Sequence, residues 1–184
     1  MDKAAQRQLV RQGRADRPAD AGRAAHLSAA IRTHPAVAPL LGPGATVAVY
    51  VGLAGEPPTQ ALRADLAAAG QRVLLPVALP DRSMVWLADP GTQAAAWGLP
   101  GQPIPVNGEP LPADVAIIVV PSLAATPDGR RLGQGGGYYD RLLVTLAPAA
   151  AGGPLVVTVV GPDEVFADVP TDPHDVRVDV VIVA

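Results

Sequence analysis

Along this chain the apolar positions change their period several times, and each change marks a predicted element. Residues 3–14 read as a helix opened by Asp2, whose carboxylate can accept from a free N–H group of the first turn, and residues 20–33 as a second helix led in the same way by Asp20. Thr46–Val51 (TVAVYV) is a β-branched run of strand length. Thr59–Ala69 returns to helical spacing after Pro57 and Pro58 and stops at Gly70, and Gln71–Pro76 is again a strand. Strand, helix and strand in so short a stretch form the pattern of a parallel crossover unit.

Met84–Ala88 predicts a further short strand. From Asp89 to Ala113 the periodicity is lost among prolines and glycines, which predicts a long surface loop. Loops of that length in a compact domain are usually either functional or disordered, and Trp97, one of two tryptophans, favours the functional reading here. Asp114–Pro121 (DVAIIVVP) is apolar without alternation, the mark of a strand covered on both faces. Residues 138–147 read as a helix, with Pro154–Val160 and Arg177–Val183 as the last strands. The expected architecture is α/β: one three-layer domain over residues 1–184, with a mainly parallel sheet and two N-terminal helices packed on it. Ligands of such sheets collect at the C-terminal ends of the strands.

With 49% hydrophobic and 17% charged residues, the chain has apolar material for a core. The absence of cysteine removes disulfides, thiolate metal sites and cysteine nucleophiles from consideration. A net charge of −3 and an aromatic content of 3% argue against nucleic acid as a partner. No apolar run approaches the roughly 18 residues that span a bilayer, and no apolar leader follows Met1-Asp2-Lys3. We therefore expect a cytoplasmic protein without membrane or nucleic-acid partners, and a monomer.

The chemistry concentrates in Asp128–Arg141, D-G-R-R-L-G-Q-G-G-G-Y-Y-D-R, between a predicted strand and a predicted helix. Gly133, Gly135, Gly136 and Gly137 allow positive φ and close approach of backbone N–H groups, as a phosphate cradle requires; a flexible turn is the plainer reading. The segment lacks the Gly-Lys-Ser/Thr end of a P-loop. Arg131 can neutralise a phosphate or serve as a surface cation. Asp140 can ligate Mg²⁺ or complement the helix N-terminus. Tyr138 and Tyr139 suit packing of helix on sheet, or contact with a ligand. Lys3, Arg7, Arg11 and Arg14 form one basic helical stripe, which by itself reads as a solvated face. His26 and His34 have no neighbours at metal-ligand spacing.

The run R-L-G-Q-G-G-G-Y-Y-D-R-L-L, preceded by V-P-S-L-A-A-T-P-D-G-R, closely resembles the signature of the 5-formyltetrahydrofolate cyclo-ligases. The resemblance extends in order through Lys3-x-x-x-Arg7, Glu56-x-x-Thr59, Trp97-Gly98-Leu99-Pro100, and Pro173-His174-Asp175 followed by Val178-Asp179. It implies a fold of the sugar-phosphate isomerase and CoA-transferase α/β group. It also implies a Mg²⁺- and ATP-dependent reaction in which the formyl oxygen of 5-formyltetrahydrofolate is phosphorylated and the N10 amine then closes the ring, yielding 5,10-methenyltetrahydrofolate, ADP and phosphate.

On the same grounds the ATP site is expected at Lys3, Arg7, Arg131, Leu132, Gly133, Gln134, Gly135, Gly136, Gly137, Tyr138 and Tyr139, with Arg131 and Tyr138 catalytic. The folate site is expected at Val51, Glu56, Trp97, Gly135, Gly137 and Tyr138, Trp97 acting as a movable lid, and the metal at Asp140 and Asp179. Arg11 and Arg14 stay on the solvated face. Two departures from the family pattern stand out: Gln134 occupies a position often basic, and Ala124-Ala125-Thr126 one that is often aromatic and acidic. A non-catalytic nucleotide- or folate-binding module of the same fold is the alternative.

Overall fold

Period-two alternation in the strands sorts the core onto two faces of a sheet. The computed structural model describes residues 2–17, 22–91, 97–99, 102–105, 107–172 and 175–184. Thr46–Val49 (β1), Arg72–Ala78 (β2), Met84–Ala88 (β3), Val115–Pro121 (β4), Leu155–Val160 (β7) and Val180–Val183 (β8) form one six-stranded sheet of order β3-β2-β1-β4-β7-β8. All neighbours are parallel except β2 and β3, which are joined by a turn too short for a crossover and therefore run antiparallel.

On one face Val47, Val49, Leu75 and Ile117 meet Leu27 and Ile31 of α2 (Arg23–Thr33) and Leu62 and Leu66 of α3 (Gln60–Ala68). The alternate positions Ala48, Leu74, Ile118 and Val120 turn to the other face, where Leu143 of α4 (Tyr138–Leu143) covers them. Each of these Leu and Ile side chains contributes about 2 kcal/mol by leaving water. Helix, sheet and helix make the three layers that were expected.

Several boundaries differ from the expectation. Helix α2 starts at Arg23 with Gly22 in the cap position and no side-chain cap, and Asp20 lies outside the described residues. α4 stops at Leu143; the chain then tightens into turns closed by Thr145 N–H to Leu142 O and Leu146 N–H to Leu143 O before Pro148. The last strand begins at Val180; just before it Asp179 accepts the Val156 N–H on its carboxylate at 2.8 Å and donates its own N–H to Val156 O at 2.9 Å. A two-stranded ribbon, Ala124–Ala125 (β5) with Arg131–Leu132 (β6), was not anticipated, since strands of two residues carry no readable period. No helix among the described residues is long and apolar enough to cross a membrane.

The first helix, α1 (Lys3–Ala15), opens as predicted, with the Asp2 carboxylate accepting from Ala5 N–H at 2.8 Å. It buries Gln6, Val10 and Arg14. Val10 packs with Leu123, Ala124, Leu132 and Val169 around the ribbon. Arg14 corrects the reading of a solvated stripe. Its side chain is buried, with Nε and Nη2 donating to the Glu164 carboxylate at 2.8 and 2.9 Å and Nη2 also to Ser122 O at 2.7 Å. Glu164 sits in the turn Pro162–Glu164 after β7 and further accepts the Gly161 N–H at 2.9 Å and Arg17 Nη2 at 3.0 Å.

Burial works against ionisation of Glu164, but the hydrogen bonds and charge of Arg14 outweigh it and hold the carboxyl below its ordinary value of 4.5. The stabilisation this brings is full above that ordinary value and is lost as the pH falls through the depressed one. Glu164→Gln should cost about 3 kcal/mol at neutral pH, since it strands a buried guanidinium. In urea titrations the gap between variant and parent should narrow on acidification below pH 4.5; a gap that is constant with pH would exclude the ion pair as its source.

Candidate functional site

Parallel strands end together, so the residues that follow them share one edge of the sheet. A cavity of about 460 Å³ opens at that edge. Tyr50 and Val51 enter it after β1, Pro76 and Ala78 at the end of β2, and Pro121 at the end of β4, with Met84 at the start of antiparallel β3.

The glycine-rich segment forms one wall. It leaves the ribbon at Leu132 and reaches α4 through Gly135 (φ 105°) and Gly137 (φ 72°), conformations that a residue with a Cβ adopts only under strain. Arg7 lies against this turn: its Nε donates to Gly133 O at 2.9 Å, and a Cβ added to Gly135 would come within 3.6 Å of its guanidinium carbon. Arg131 is buried, yet lines the cavity. One guanidinium nitrogen, Nη2, donates to Asp140 Oδ1 at 2.5 Å, while its buried Nε lacks a partner. Lys3, at the first turn of α1, pairs with Asp172 and Asp175 at 2.6 Å each. Burial opposes its charge, but the hydrogen bonds to those two carboxylates prevail and raise its pKa.

The opposite wall is apolar with one carboxylate. Val51, Leu53, Met84, Trp97 and Leu99 line it around Glu56. Glu56 is 8% exposed; its Oε2 accepts the Leu53 N–H at 2.9 Å and its Oε1 the Gln134 side-chain amide at 2.8 Å. Tyr50 and Tyr139 stand nearby, and burial, reinforced by the Glu56 charge, pushes both hydroxyls well above their ordinary value. Tyr50 spends its proton on Pro57 O at 2.9 Å, whereas the Tyr139 hydroxyl, on another residue that lines the cavity, is buried without a hydrogen-bond partner. Trp97 is held by its main chain, its carbonyl accepting the Ala78 N–H at 3.0 Å. A Cβ on Gly98 (φ 76°) would stand 1.7 Å from Ala78 O, so the contact exists only because that residue is glycine.

The structure thus gathers Lys3, Arg7, Val51, Glu56, Trp97, Asp140 and the whole of Arg131–Tyr139 around one space. Asp179 is the correction: it is not among the residues that line the cavity, and it stands at the N-terminal end of β8, the opposite edge of the sheet, where it accepts from Val156. Arg11 is likewise not merely solvated, since Nη2 donates to Gln134 O at 2.9 Å and to Gln134 Oε1 at 3.1 Å. Pro100, Pro173 and His174 lie outside the described residues. The sequence reading had no signal for Tyr50, Met84 or Asp172, which reach the site through the ends of strands and a distant segment. His34 closes α2, its Nδ1 accepting the Ala36 N–H at 3.3 Å.

Comparison with known proteins adds an independent line. Residues 2–184 match the model of the family described as 5-formyltetrahydrofolate cyclo-ligase. A 5-formyltetrahydrofolate cyclo-ligase of Mycolicibacterium smegmatis is 40% identical over 140 residues, covering 72% of this chain and 70% of the relative. One from Mus musculus is 33% identical over 66 residues, 36% of this chain and 32% of that one. The solved 5,10-methenyltetrahydrofolate synthetase of Aquifex aeolicus superposes with a TM-score of 0.73 at 28% identity, over 100% of this chain and 90% of that chain. The synthetase of Mycoplasma pneumoniae gives 0.71 at 21% identity over 99% and 98%, a likeness of fold.

Gly98→Ala should therefore displace the Trp97 segment from β2, lowering stability by about 1–2 kcal/mol or more. The accompanying sign is a red shift of tryptophan emission; an unchanged spectrum and unfolding midpoint would show that the segment tolerates a Cβ.

Proposed function

The chain belongs to the 5-formyltetrahydrofolate cyclo-ligase family and is a ligase; from that premise we propose that it converts 5-formyltetrahydrofolate to 5,10-methenyltetrahydrofolate at the expense of ATP, in the cavity at the sheet's C-terminal edge. The observation that carries the proposal is the meeting in one cavity of Lys3, Arg7, Arg131 and the glycine loop with Glu56 and Trp97. One set of groups suits a polyphosphate and the other a flat heterocycle with N–H donors.

The chemistry explains why both are needed. A formyl group on N5 is an amide, with a weak electrophile at carbon and a poor leaving group in its oxygen. Attack of the formyl oxygen on the γ-phosphorus forms the O–P bond as the bond to the ADP oxygen breaks, and the formyl oxygen then belongs to a phosphate. The N10 lone pair adds to the activated carbon, phosphate departs with the C–O electron pair, and the N10 proton passes to solvent. The product is the delocalised N5–C–N10 cation.

Phosphoryl transfer depends mainly on position and charge. In this reading the N–H groups of Gly133–Gly137, with Leu132 and Gln134 between the ribbon and the turn, hold the β- and γ-phosphates. Arg131 faces the transferred phosphoryl group with its free Nε, while Asp140 holds the other end of the guanidinium. Arg7 and Lys3 bracket the phosphates from α1. Tyr138 and Tyr139 close the helix side, and the unpartnered Tyr139 hydroxyl is available to a substrate oxygen. Glu56 accepts from the pterin N–H groups, with Val51, Trp97, Gly135, Gly137 and Tyr138 shaping the folate side.

The described residues contain no group of three or more His, Cys, Asp or Glu suited to a metal. That fits Mg²⁺ nonetheless, because this ion usually needs only one or two protein carboxylates when phosphate oxygens complete its shell. Asp140 is the lining carboxylate beside Arg131 and would hold it; the ion's contribution is to neutralise phosphate charge. We further propose that residues 1–184 act as one domain, as a monomer in the cytoplasm.

Mixing the protein with 5-formyltetrahydrofolate, Mg²⁺ and ATP should raise the methenyl-folate absorbance, with no rise when ATP is left out. Folate and ATP that each stabilise the protein without any rise would favour the binding module instead. Arg131→Ala should lower kcat by about 10²–10³, and Asp140→Ala should lower it too by freeing the guanidinium. Full activity in either variant would remove that residue from the mechanism.

A further inference from the structure

Gln134 belongs to the glycine loop by its main chain, but its side chain crosses to the other wall of the cavity. Nε2 donates to Glu56 Oε1 at 2.8 Å. A carboxamide has one donor end and one acceptor end, and here the two are sorted: Arg11 Nη2 donates to Gln134 Oε1 at 3.1 Å and to its main-chain oxygen at 2.9 Å, which leaves the NH₂ end for Glu56. The second carboxylate oxygen is held by the Leu53 N–H at 2.9 Å. Both oxygens of Glu56 are therefore fixed by neutral donors, and the plane of a buried carboxylate is set while each oxygen keeps acceptor capacity for a ligand.

We propose that Gln134 is a positioning residue for the folate: its amide, oriented by Arg11, fixes the Glu56 carboxylate so that it presents acceptors to a pair of N–H groups on the heterocycle. The inference rests on the folate reading of this cavity. A cation at position 134 would draw the carboxylate into an ion pair and take part of its charge from the substrate; a neutral amide orients it and leaves that charge for the ligand. Gln134 then serves the nucleotide through its main chain and the folate through its side chain. The other charged or titratable groups that line the cavity are Lys3 and Arg7 of α1, Arg131, Tyr138, Asp140, Asp172, Asp175 and the Tyr50 and Tyr139 hydroxyls, the last two kept protonated by burial, while Arg11 reaches only Gln134.

The side chain is exposed, so substitution leaves the fold intact. In Gln134→Leu the KM for 5-formyltetrahydrofolate, and its Kd by calorimetry without nucleotide, should rise about tenfold, with a smaller change in the KM for ATP. Gln134→Glu keeps the acceptor for Arg11 but sets a second carboxylate against Glu56. The two must then share a proton, and folate affinity should weaken with rising pH as that proton is lost, a dependence absent from the parent.

An equal rise of both KM values in Gln134→Leu, a rise for ATP alone, or a Gln134→Glu profile parallel to the parent's would overturn the proposal. If the parent protein itself takes up no 5-formyltetrahydrofolate, the folate reading falls and this inference with it. If the parent binds it and Gln134→Leu binds it equally well, only the role of Gln134 falls.

Discussion

The position of the first helix over the sheet edge rests on the buried pairing of Arg14 with Glu164. Removing two charges from water costs several kcal/mol for each, and their attraction offsets this only when the remaining donors and acceptors are also met. Here Ser122 O and the Gly161 N–H meet several of them. Such a pair adds little net stability but defines geometry strictly, because any shift of the helix would leave a charge buried alone. About 16 Å of helix separates Arg14 from Lys3. A constraint at one end of α1 thus decides where Lys3 and Arg7 stand at the other, and both stand against the cavity.

From that placement follows the asymmetry of the site. Its cationic wall is assembled from parts far apart in sequence, α1 and the loop before α4, while its apolar wall comes from the ends of β1 and β2 and the Trp97 segment. Among the described residues two buried donors without partners, the Arg131 Nε and the Tyr139 hydroxyl, belong to residues that line the cavity, while Arg14 Nη1, Arg17 Nη1 and Trp86 Nε1 belong to residues that do not. Buried polar groups of that kind are costly, and for the two at the cavity a ligand would supply the missing partners. The walls touch through Gln134 and Glu56, so the glycine-rich loop and the wall that carries Glu56 share a hydrogen-bonded contact.

Much of this was legible along the chain. The strands were found because an apolar run covered on both faces has a pattern no surface segment shares, and the loop because glycines clustered before a helix have few uses. Boundaries were less legible: α4 ends four residues before the expected 147, since the chain tightens into turns that periodicity does not register. Arg14 was misread because its spacing from Lys3, Arg7 and Arg11 is that of a solvated stripe, and nothing local reveals that Glu164 comes to meet it. Asp179 was misassigned for the same reason. Its neighbours in sequence predict a strand there, but not that Asp179 precedes it at the edge opposite the cavity.

What the sequence alone determined was the class of fold, the crossover of β1, α3 and β2, and most of the residues that come to line one cavity, because these depend on period, backbone freedom and motif. What only the tertiary structure decided was pairing: which carboxylate meets Arg14, which oxygen Gln134 holds, and which edge of the sheet Asp179 occupies. Glu164 lies 150 positions from Arg14 and Gln134 lies 78 from Glu56. Contacts across such distances are set by the register and direction of the strands between them, and no local pattern encodes that.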